Sequence, residues 1–204
     1  MLVTVVDLGL GNLRSVERAL FRAAGEAKIA CTTIVTSDPE RVRQADKIVV
    51  PGQGSFGAAA EALDRGWRDA LREQIELKKP YLGICLGLQL LFEASEEMPG
   101  ARGLGVFEGE VVRLPKDAGK TPHMGWNTVA ASGRSLLPTE DTYFYFTHTF
   151  VVVPRDPALA CGITEYGATR FVSAVAKDNL FACQFHPEKS QLAGQALLAR
   201  FLRS

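Results

Sequence analysis

The chain has 204 residues, of which 47% are hydrophobic and 23% are charged, and this balance excludes a disordered, collagen-like or coiled-coil protein. The length suffices to bury a sizeable core, so we expect a single domain over residues 1–204. Lysine plus arginine and aspartate plus glutamate each total 23. The overall charge therefore favours neither nucleic acid nor an anionic membrane as a partner, and a small-molecule substrate is expected.

The amino-terminal residues include an acid at Asp7 and no basic segment, so no secretory signal is predicted. No apolar run approaches the roughly 20 residues that span a bilayer. Four cysteines lie far apart without a CxxC pair, and no cluster has the spacing of metal ligands. The sequence thus predicts reduced thiols, a cytoplasmic location and neither a metal nor an organic cofactor.

The first half of the chain alternates strand and helix patterns. An apolar, valine-rich run predicts a strand over Leu2–Val6. Asn12 is a suitable N-cap for a helix that should end at Gly25. The other predicted elements of this half are strands over 29–36, 47–50 and 81–84 and a helix over 58–78 that breaks near Gly66. This alternation predicts an α/β fold with an open, mostly parallel sheet flanked by helices.

The second half is dominated by strand patterns with few helical stretches between them. The strand-like runs cover 106–114, 127–131, 143–153, 169–176 and 180–185. They predict antiparallel additions to the sheet. A last amphipathic helix is predicted over 191–202, because Ala193, Leu197 and Phe201 recur at intervals of four.

Cys85 lies where an apolar strand meets a helical pattern, with glycines two residues before and after it. This is the pattern of a nucleophile elbow, in which a sharp turn exposes the side chain at the carboxyl edge of the sheet. A position at a helix N-terminus would also favour the thiolate. The other cysteines, Cys31, Cys161 and Cys183, have no glycines two residues before and after them, and they are interpreted as small buried hydrophobic residues.

A thiol nucleophile needs a base, and the chain has three histidines. His186 ends an apolar strand, Pro187 stiffens the turn that follows, and Glu188 lies two residues further on. A carboxylate there can hold the imidazole in one tautomer and stabilise it when it takes the thiol proton. In isolation this could be a turn-capping histidine beside a surface glutamate, but together with the Cys85 elbow it predicts a catalytic triad.

A glycine-rich turn, Gly52-Gln53-Gly54, directly follows the strand predicted over 47–50. Such turns can direct backbone amides at negative charge. A phosphate-binding loop is the alternative, but neither GxxxxGK[ST] nor GxGxxG is satisfied. An oxyanion hole is the better interpretation.

Together these motifs resemble the class I glutamine amidotransferases of the Cys-His-Glu type, over essentially the whole chain. The core motifs are Gly83-Ile-Cys85-Leu-Gly87-Leu-Gln89 and Phe185-His186-Pro187-Glu188. Further segments resemble the glutaminase subunits of imidazole glycerol phosphate synthases. They are Pro51-Gly52-Gln53-Gly54-Ser55-Phe56, Pro122-His123-Met124-Gly125-Trp126-Asn127, Tyr145-Phe146-Thr147-His148-Thr149-Phe150 and His186-Pro187-Glu188-Lys189-Ser190.

The resemblance implies a function in histidine biosynthesis and a role for each group of residues. Cys85 would attack the glutamine amide, His186 would protonate the departing ammonia and Glu188 would orient His186. The expected oxyanion and substrate-binding residues are Gly52, Gln53, Leu86, Gln89, Thr147, His148 and Thr149. The ammonia would pass to a (β/α)8-barrel cyclase subunit in a heterodimer. The residues expected to face that partner are Pro122, His123, Met124, Gly125, Trp126, Asn127, Tyr145 and Lys189.

Three other functions remain open at this point. The chain could serve a different synthase, such as the pyridoxal phosphate or anthranilate systems, although the segment 122–127 argues against both. It could be a non-catalytic binding module, which an intact triad disfavours. It could be a cysteine peptidase, against which Gln89 and the complete Phe-His-Pro-Glu motif weigh. Trp126 could equally be buried in a core.

Overall fold

The computed structural model describes residues 1–132 and 135–204 and contains one mixed sheet of twelve strands within them. The strands are Leu2–Val6 (β1), Thr32–Thr36 (β2), Lys47–Gly52 (β3), Tyr81–Cys85 (β4), Ala94–Ser95 (β5), Gly109–Arg113 (β6), His123–Ala131 (β7), Thr142–His148 (β8), Phe150–Pro154 (β9), Ala160–Tyr166 (β10), Thr169–Lys177 (β11) and Leu180–Cys183 (β12). The α-helices are Leu13–Ala27 (α1), Pro39–Val42 (α2), Phe56–Ala62 (α3), Arg68–Glu76 (α4), Leu86–Gln89 (α5) and Gln191–Arg203 (α6).

The sheet has a parallel half and an antiparallel half. The strand order is β2-β1-β3-β4-β12-β11-β10-β7-β8, and β9, β6 and β5 extend it from β11. Strands β2, β1, β3, β4 and β12 are parallel to their neighbours in this series. Strand β12 then pairs antiparallel with β11. The predicted fold class, an α/β sheet with antiparallel additions from the carboxyl-terminal half, is confirmed.

Both faces of the parallel half are covered by helices. Successive residues of a strand point to opposite faces, and β3 shows this directly. Ile48 and Val50 pack into the core with α2, α3 and α4. Val49 packs into a second core with α1 and α6. The near-continuous apolar sequence of these strands follows from burial on both sides.

Helix α1 begins where it was predicted to begin and ends later. The Asn12 side chain accepts a hydrogen bond from the Ser15 amide at 3.3 Å, which satisfies one of the free N–H groups of the first turn. The expected stop at Gly25 is wrong, because Gly25 lies inside the helix. Lys28 instead takes the left-handed conformation (φ 55°), and its amide donates to carbonyls of the last turn.

The predicted break near Gly66 is confirmed. The helical stretch divides into α3 and α4 around a π-helical segment, Leu63–Trp67, in which Gly66 has φ 96°. Two strands were not predicted, β5 and β10, and the run over 143–153 divides at Thr149 into β8 and β9. Strand β10 mixes small and polar residues and has no continuous apolar run, so its sequence alone does not indicate a strand. Its extended conformation is stabilised by pairing with β11.

The topology brings three chain segments to one edge of the sheet. Gly52, at the carboxyl end of β3, pairs in register with Cys85 at the end of β4. Strand β12 runs parallel to β4 on its other side and leads, three residues after its end, to His186. In open parallel sheets this carboxyl edge is where ligands bind.

Candidate active site

Cys85 occupies a sterically forced turn between β4 and α5. Its backbone has φ 53° and ψ −102°, a conformation that residues with a side chain rarely adopt. A Cβ on Gly83 would lie 2.6 Å from the Gly87 carbonyl oxygen, and one on Gly87 would lie 1.8 Å from the Val50 carbonyl oxygen. Only glycine fits at both positions, which supports the elbow predicted from the sequence.

The helix that follows Cys85, α5, is short. It covers only four residues, Leu86–Gln89, and the chain continues to Phe92 in turns. A helix this short has few aligned peptide dipoles, so its contribution to a thiolate at Cys85 is smaller than the sequence suggested.

His186 and Glu188 form a buried pair. The His186 Nδ1 lies 2.8 Å from Glu188 Oε1, and both side chains are almost completely buried. A carboxylate only accepts, so Nδ1 carries the proton and donates it, while Nε2 points away from the pair. Nε2 makes no hydrogen bond within residues 1–132 and 135–204. The pair thus holds the imidazole in one orientation with Nε2 available for chemistry.

Pairing of β12 with β4 brings His186 near Cys85, and the pKa of His186 reflects this neighbour. Burial would lower this pKa, but the nearby Cys85, followed by Glu188, outweighs burial and raises the pKa of His186 to about 9. Nε2 and Sγ are not in hydrogen-bond geometry, but Cys85 is close enough to affect the protonation of His186. The structure therefore brings together the three residues predicted to form the triad.

The turn that carries His186 is fixed from two sides. The His186 amide donates to the Tyr145 carbonyl at 2.9 Å, and Ser190 Oγ accepts from the Tyr145 amide at 3.0 Å while donating to the His186 carbonyl. Helix α6 packs so closely behind the turn that a Cβ on Gly194 would lie 1.8 Å from the Pro187 carbonyl oxygen. These contacts leave His186 little freedom to move away from Cys85.

The turn predicted to form the oxyanion hole lies beside the elbow. A Cβ on Gly52 would lie 2.8 Å from Leu86 Cβ, so the two segments are in direct contact. Gly54 has φ 127°. Gly11, at φ 105°, passes so near that its Cβ would lie 3.1 Å from the Gln53 nitrogen. The turn therefore contacts both the nucleophile segment and the loop before α1.

Cys85 opens into a cleft of about 860 Å³, within the size range of small-ligand sites. Most of the predicted oxyanion and substrate residues line it. They are Gln53, Leu86, Gln89, Thr147, His148 and Thr149. Gly52 lies behind the lining, next to Leu86.

Four of the residues predicted to face a partner also line this cleft: Pro122, Met124, Tyr145 and Lys189. The Lys189 Nζ lies 5.9 Å from the Tyr145 ring centroid, and Trp126 packs edge-on against the same ring. Met124 is 62% exposed and Trp126 is 46% exposed. These two apolar side chains form a patch next to the cleft, and Trp126 is not buried in a core.

His123 and Asn127 differ from the other residues of their segment. A strand turns alternate side chains to opposite faces, so His123, Gly125 and Asn127 lie on the face opposite Met124 and Trp126. The His123 ring is 2% exposed and stacks between Tyr166 and Phe146. Its side chain is interior, so the structure does not place it on the surface where a partner was predicted to bind.

His123 and His148 form a second buried pair, with Nδ1 of His123 2.9 Å from Nε2 of His148. His148 Nδ1 lies 3.0 Å from the Phe150 carbonyl, which only accepts. His148 therefore donates from Nδ1 and accepts at Nε2. Burial lowers the pKa of His123 to about 4, and burial together with His123 lowers that of His148 to about 3. Their low pKa values make both rings weak bases, and both ring nitrogens of His148 are engaged in hydrogen bonds, which favours His186 as the base.

The remaining cysteines have the surroundings expected of structural residues. Cys161 and Cys183 are buried and Cys31 is half-buried, and all are free thiols. Burial raises the pKa of Cys161 to about 12 and that of Cys183 well above its usual value. Among the described residues, no group of three or more His, Cys, Asp and Glu side chains could hold a metal. No helix there is long and apolar enough to cross a membrane.

Three polar residues at the site were not identified from the sequence. Glu97 and Arg113 line the cleft, and no motif around them signals a site. Gln184 is fully buried, and its Nε2 lies 3.4 Å from Cys85 Sγ. A single amide in the otherwise apolar run before His186 was the available signal for Gln184.

Comparison with known proteins places this site in a family. The family model for glutamine amidotransferase class-I matches residues 4–204. A solved structure described as a glutamine amidotransferase superposes with a TM-score of 0.73 at 21% identity, covering 98% of this chain and 96% of that one. Fold and family are therefore those of a class-I glutamine amidotransferase.

Closer relatives identify the group within that family. The subunit HisH of imidazole glycerol phosphate synthase from Pyrococcus furiosus is 45% identical, covering 98% of each chain. The HisH subunit from Nitrosospira multiformis is 48% identical, covering 98% of this chain and 97% of the relative. The chain belongs to the HisH family of imidazole glycerol phosphate synthase subunits, and the resemblance predicted from its motifs is confirmed.

Proposed function

We propose that this chain hydrolyses glutamine through Cys85, His186 and Glu188 and supplies the ammonia to a cyclase subunit in histidine biosynthesis. The observation that carries the proposal is the strained Cys85 elbow beside a histidine whose Nδ1 is held by Glu188. The family and the names of its HisH members support the substrate and the pathway. The domain extends over the whole chain, 1–204.

The chemistry follows from the Cys85 thiol and the neighbouring His186 imidazole, which form the reactive thiolate and imidazolium. The Cys85 thiolate attacks the amide carbon of glutamine, and the carbonyl oxygen becomes an oxyanion. His186 donates the Nε2 proton to the nitrogen as the carbon–nitrogen bond breaks, which releases ammonia and leaves a thioester. Water, deprotonated by His186, then attacks the thioester and releases glutamate. Glu188 fixes the imidazole and stabilises its positive charge.

The cleft offers groups complementary to a free amino acid. Glu97 and Arg113 place opposite charges in its lining, as the α-ammonium and α-carboxylate of glutamine require. Gln89 donates its Nε2 hydrogens to the Phe150 carbonyl and to Gln184 Oε1, so it can offer substrate only its own oxygen. The backbone of 147–149 borders the same space. The peptidase alternative fits less well, because a charged cleft of this size suits one amino acid.

The oxyanion is bound by the amide of Leu86 and by the Gly52-Gln53 turn. Losing one such donor typically costs about 2.7 to 4 kcal/mol of transition-state stabilisation. A peptide flip in that turn, induced by the partner, would complete the oxyanion hole only in the complex. Such a switch would keep the glutaminase activity of the free chain low and so prevent hydrolysis of glutamine in the absence of the partner.

The partner is a (β/α)8-barrel cyclase that forms a heterodimer with this chain in the cytoplasm. Met124, Trp126, Tyr145 and Lys189 border the cleft and face the barrel, and ammonia leaves the site on this side. The exposed apolar side chains of Met124 and Trp126 have the character of an interface core. Nucleic acid and membranes are not partners.

The proposal is tested by glutamate release from the purified chain, alone and with the cyclase subunit and its ribonucleotide ligand. Strong activation by the partner is expected, and it should be lost in Cys85→Ala. Trp126→Ala should reduce activation, whereas Phe21→Ala, which removes a more exposed aromatic side chain from α1, should not.

Two outcomes would contradict parts of this proposal. Full activity without any partner, or activation by a subunit of a different synthase, would contradict the pathway assignment. Either result would still be consistent with the catalytic triad. No thiol-dependent release in the complex would favour a non-catalytic binding module.

A further inference from the structure

Gln184 is a buried polar side chain that the triad does not explain. It follows β12, two residues before His186, and is completely buried. It does not line the cleft, so it has no contact with a substrate bound there. Burying a carboxamide is unfavourable unless both of its polar atoms are hydrogen-bonded. Its partners therefore indicate why an amide stands at this position.

The hydrogen bonds around Gln184 have fixed directions. The Phe150 carbonyl can only accept, and the Gln89 amide group lies 3.2 Å from it, so Gln89 must present Nε2 there. The same Nε2 lies 3.3 Å from the Gln184 side chain, which must present its oxygen in return. The nitrogen of Gln184 then faces Cys85 Sγ at 3.4 Å. A reversal of Gln89 would place its oxygen against the Phe150 carbonyl oxygen, and a reversal of Gln184 would place its NH2 group against that of Gln89.

The same carbonyl fixes the histidine pair described above. His148 Nδ1 also donates to the Phe150 oxygen, at 3.0 Å, and His148 Nε2 accepts from His123. The Phe150 carbonyl thus accepts from Gln89 and His148, two buried donors. These bonds fix the Gln89 amide, and through it the Gln184 amide, on the side away from Cys85. Gln184 cannot turn away from Cys85 without breaking this network.

An N–H directed at sulfur has two consequences for a nucleophile. The donated hydrogen bond is stronger to a thiolate than to a thiol, so it favours the reactive form. It also restrains the direction in which Sγ points. The four-residue helix α5 supplies little dipole for the same purpose, which makes a direct donor more important.

We propose that Gln184 is a positioning residue for the reaction, which holds Cys85 Sγ in its attacking orientation and stabilises the thiolate through one donated hydrogen bond. The proposal rests on the proposed function in taking Cys85 as the nucleophile. Gln184 acts through Cys85 and does not touch the substrate. Its removal should therefore slow the chemical step and leave glutamine binding unchanged.

The test uses Gln184→Met, which keeps the volume without a donor, and Gln184→Glu, which presents a carboxylate oxygen to the sulfur. Alkylation of Cys85 by iodoacetamide is followed across pH by peptide mass spectrometry. Both variants should react about tenfold more slowly at pH 7, the size expected for one charge-assisted hydrogen bond, and their pH profiles should move to higher pH. In the complex with the cyclase, kcat should fall at constant KM.

The matched control is Gln74→Met, which removes another buried glutamine, located on α4. It should alter the melting temperature without altering alkylation of Cys85. A merely structural role for Gln184 predicts the same behaviour in the Gln184 variants, and that result would overturn the proposal. A rise in KM with unchanged alkylation would also overturn it, because it would place Gln184 at the substrate.

A second measurement does not depend on folding of the Gln184 variants. In the otherwise unchanged chain, the side-chain amide resonances of Gln184 should shift with pH and lose that shift in Cys85→Ala. The same pH-dependent shift of these resonances with and without Cys85 would contradict the hydrogen bond. Alkylation needs no glutamine turnover, so loss of glutaminase activity in every form of the chain would refute the proposed function without deciding the role of Gln184.

Discussion

The turn at Cys85 depends on the absence of a side chain at Gly87, and Gly87→Ala tests this. The new Cβ would lie 1.8 Å from the Val50 carbonyl oxygen, whereas ordinary contacts are 3.4–4 Å. Val50 belongs to the central strand β3, so the obstacle is backbone and cannot rotate away. Overpacking typically costs 1–3 kcal/mol, and with a rigid neighbour we expect a loss of about 3 kcal/mol or more.

Gly25→Ala is the matched control. Gly25 lies inside α1 and is exposed, and a Cβ there meets nothing within 4 Å. Replacing glycine by alanine in a helix interior should stabilise the fold by about 0.5–1 kcal/mol. In a chain of this size each kcal/mol shifts the melting temperature by about 2–4 °C. Calorimetry should therefore show a fall of about 6–12 °C for Gly87→Ala and a small rise for Gly25→Ala.

Activity provides a second readout for the same pair. A displacement of about 1 Å at the elbow should reduce kcat roughly 10²-fold, while Gly25→Ala should leave kcat unchanged. Equal melting temperatures for the two variants, or wild-type kcat in Gly87→Ala, would refute the steric explanation of the turn.

Three further predictions concern the ionisable groups. Glu188→Gln should lower kcat about 10²- to 10⁴-fold with little change in KM, because an amide can donate to Nδ1 and favour the wrong tautomer of His186. Steady-state kinetics of the complex measures both constants, and an unchanged kcat would contradict the role of Glu188. The His186 imidazole should titrate near pH 9 by NMR, and Cys85→Ala should lower its pKa because Cys85 contributes most to raising it. Identical titrations in the two forms would contradict a close interaction between Cys85 and His186. His123 and His148 have folded-state pKa values below the ordinary 6.5, so below that pH the unfolded chain binds protons that the folded chain does not. The free energy of unfolding should therefore fall as pH falls from 6.5 towards 4, by up to about 1.4 kcal/mol per pH unit for each histidine. Urea unfolding at several pH values measures this, and titration of both rings near 6.5 would contradict it.

The parts of the site that could be predicted from the sequence are those with local steric causes. Glycines at 83 and 87 are required by close contacts within and beside the elbow, so their spacing signals the turn directly. Pro187 and Glu188 are close in sequence to His186, and the Nδ1 contact follows from that proximity. Strand β1 and helix α6 were likewise predictable, because their apolar patterns are regular.

The parts that could not be predicted depend on long-range pairing. Gln184 reaches Cys85 only because β12 pairs with β4, with Cys183 opposite Ile84. No local pattern contains that register. The motif over 122–127 predicts one partner-facing segment, yet pairing of β7 with β8 turns His123 inward and leaves Met124 and Trp126 outside. The two-residue period of a strand could have suggested this division.

The end of α1 shows how a local rule can mislead. A glycine near the end of a helical pattern predicts a stop, but glycine is tolerated inside a helix when packing on the other face stabilises it. Leu20 and Ala24 bury that face, and Lys28 adopts the left-handed conformation that glycine would have taken. The helix therefore ends where its apolar face ends.

Labelling of the nucleophile tests the central claim most directly. A glutamine analogue with a diazoketone in place of the amide alkylates the group that attacks the amide carbon, and peptide mass spectrometry locates the label. One label per chain is expected at Cys85, and glutamine should protect against it. Labelling of Cys31, Cys161 or Cys183 instead, or no labelling in a complex that still releases glutamate, would contradict the assignment of Cys85 as the nucleophile.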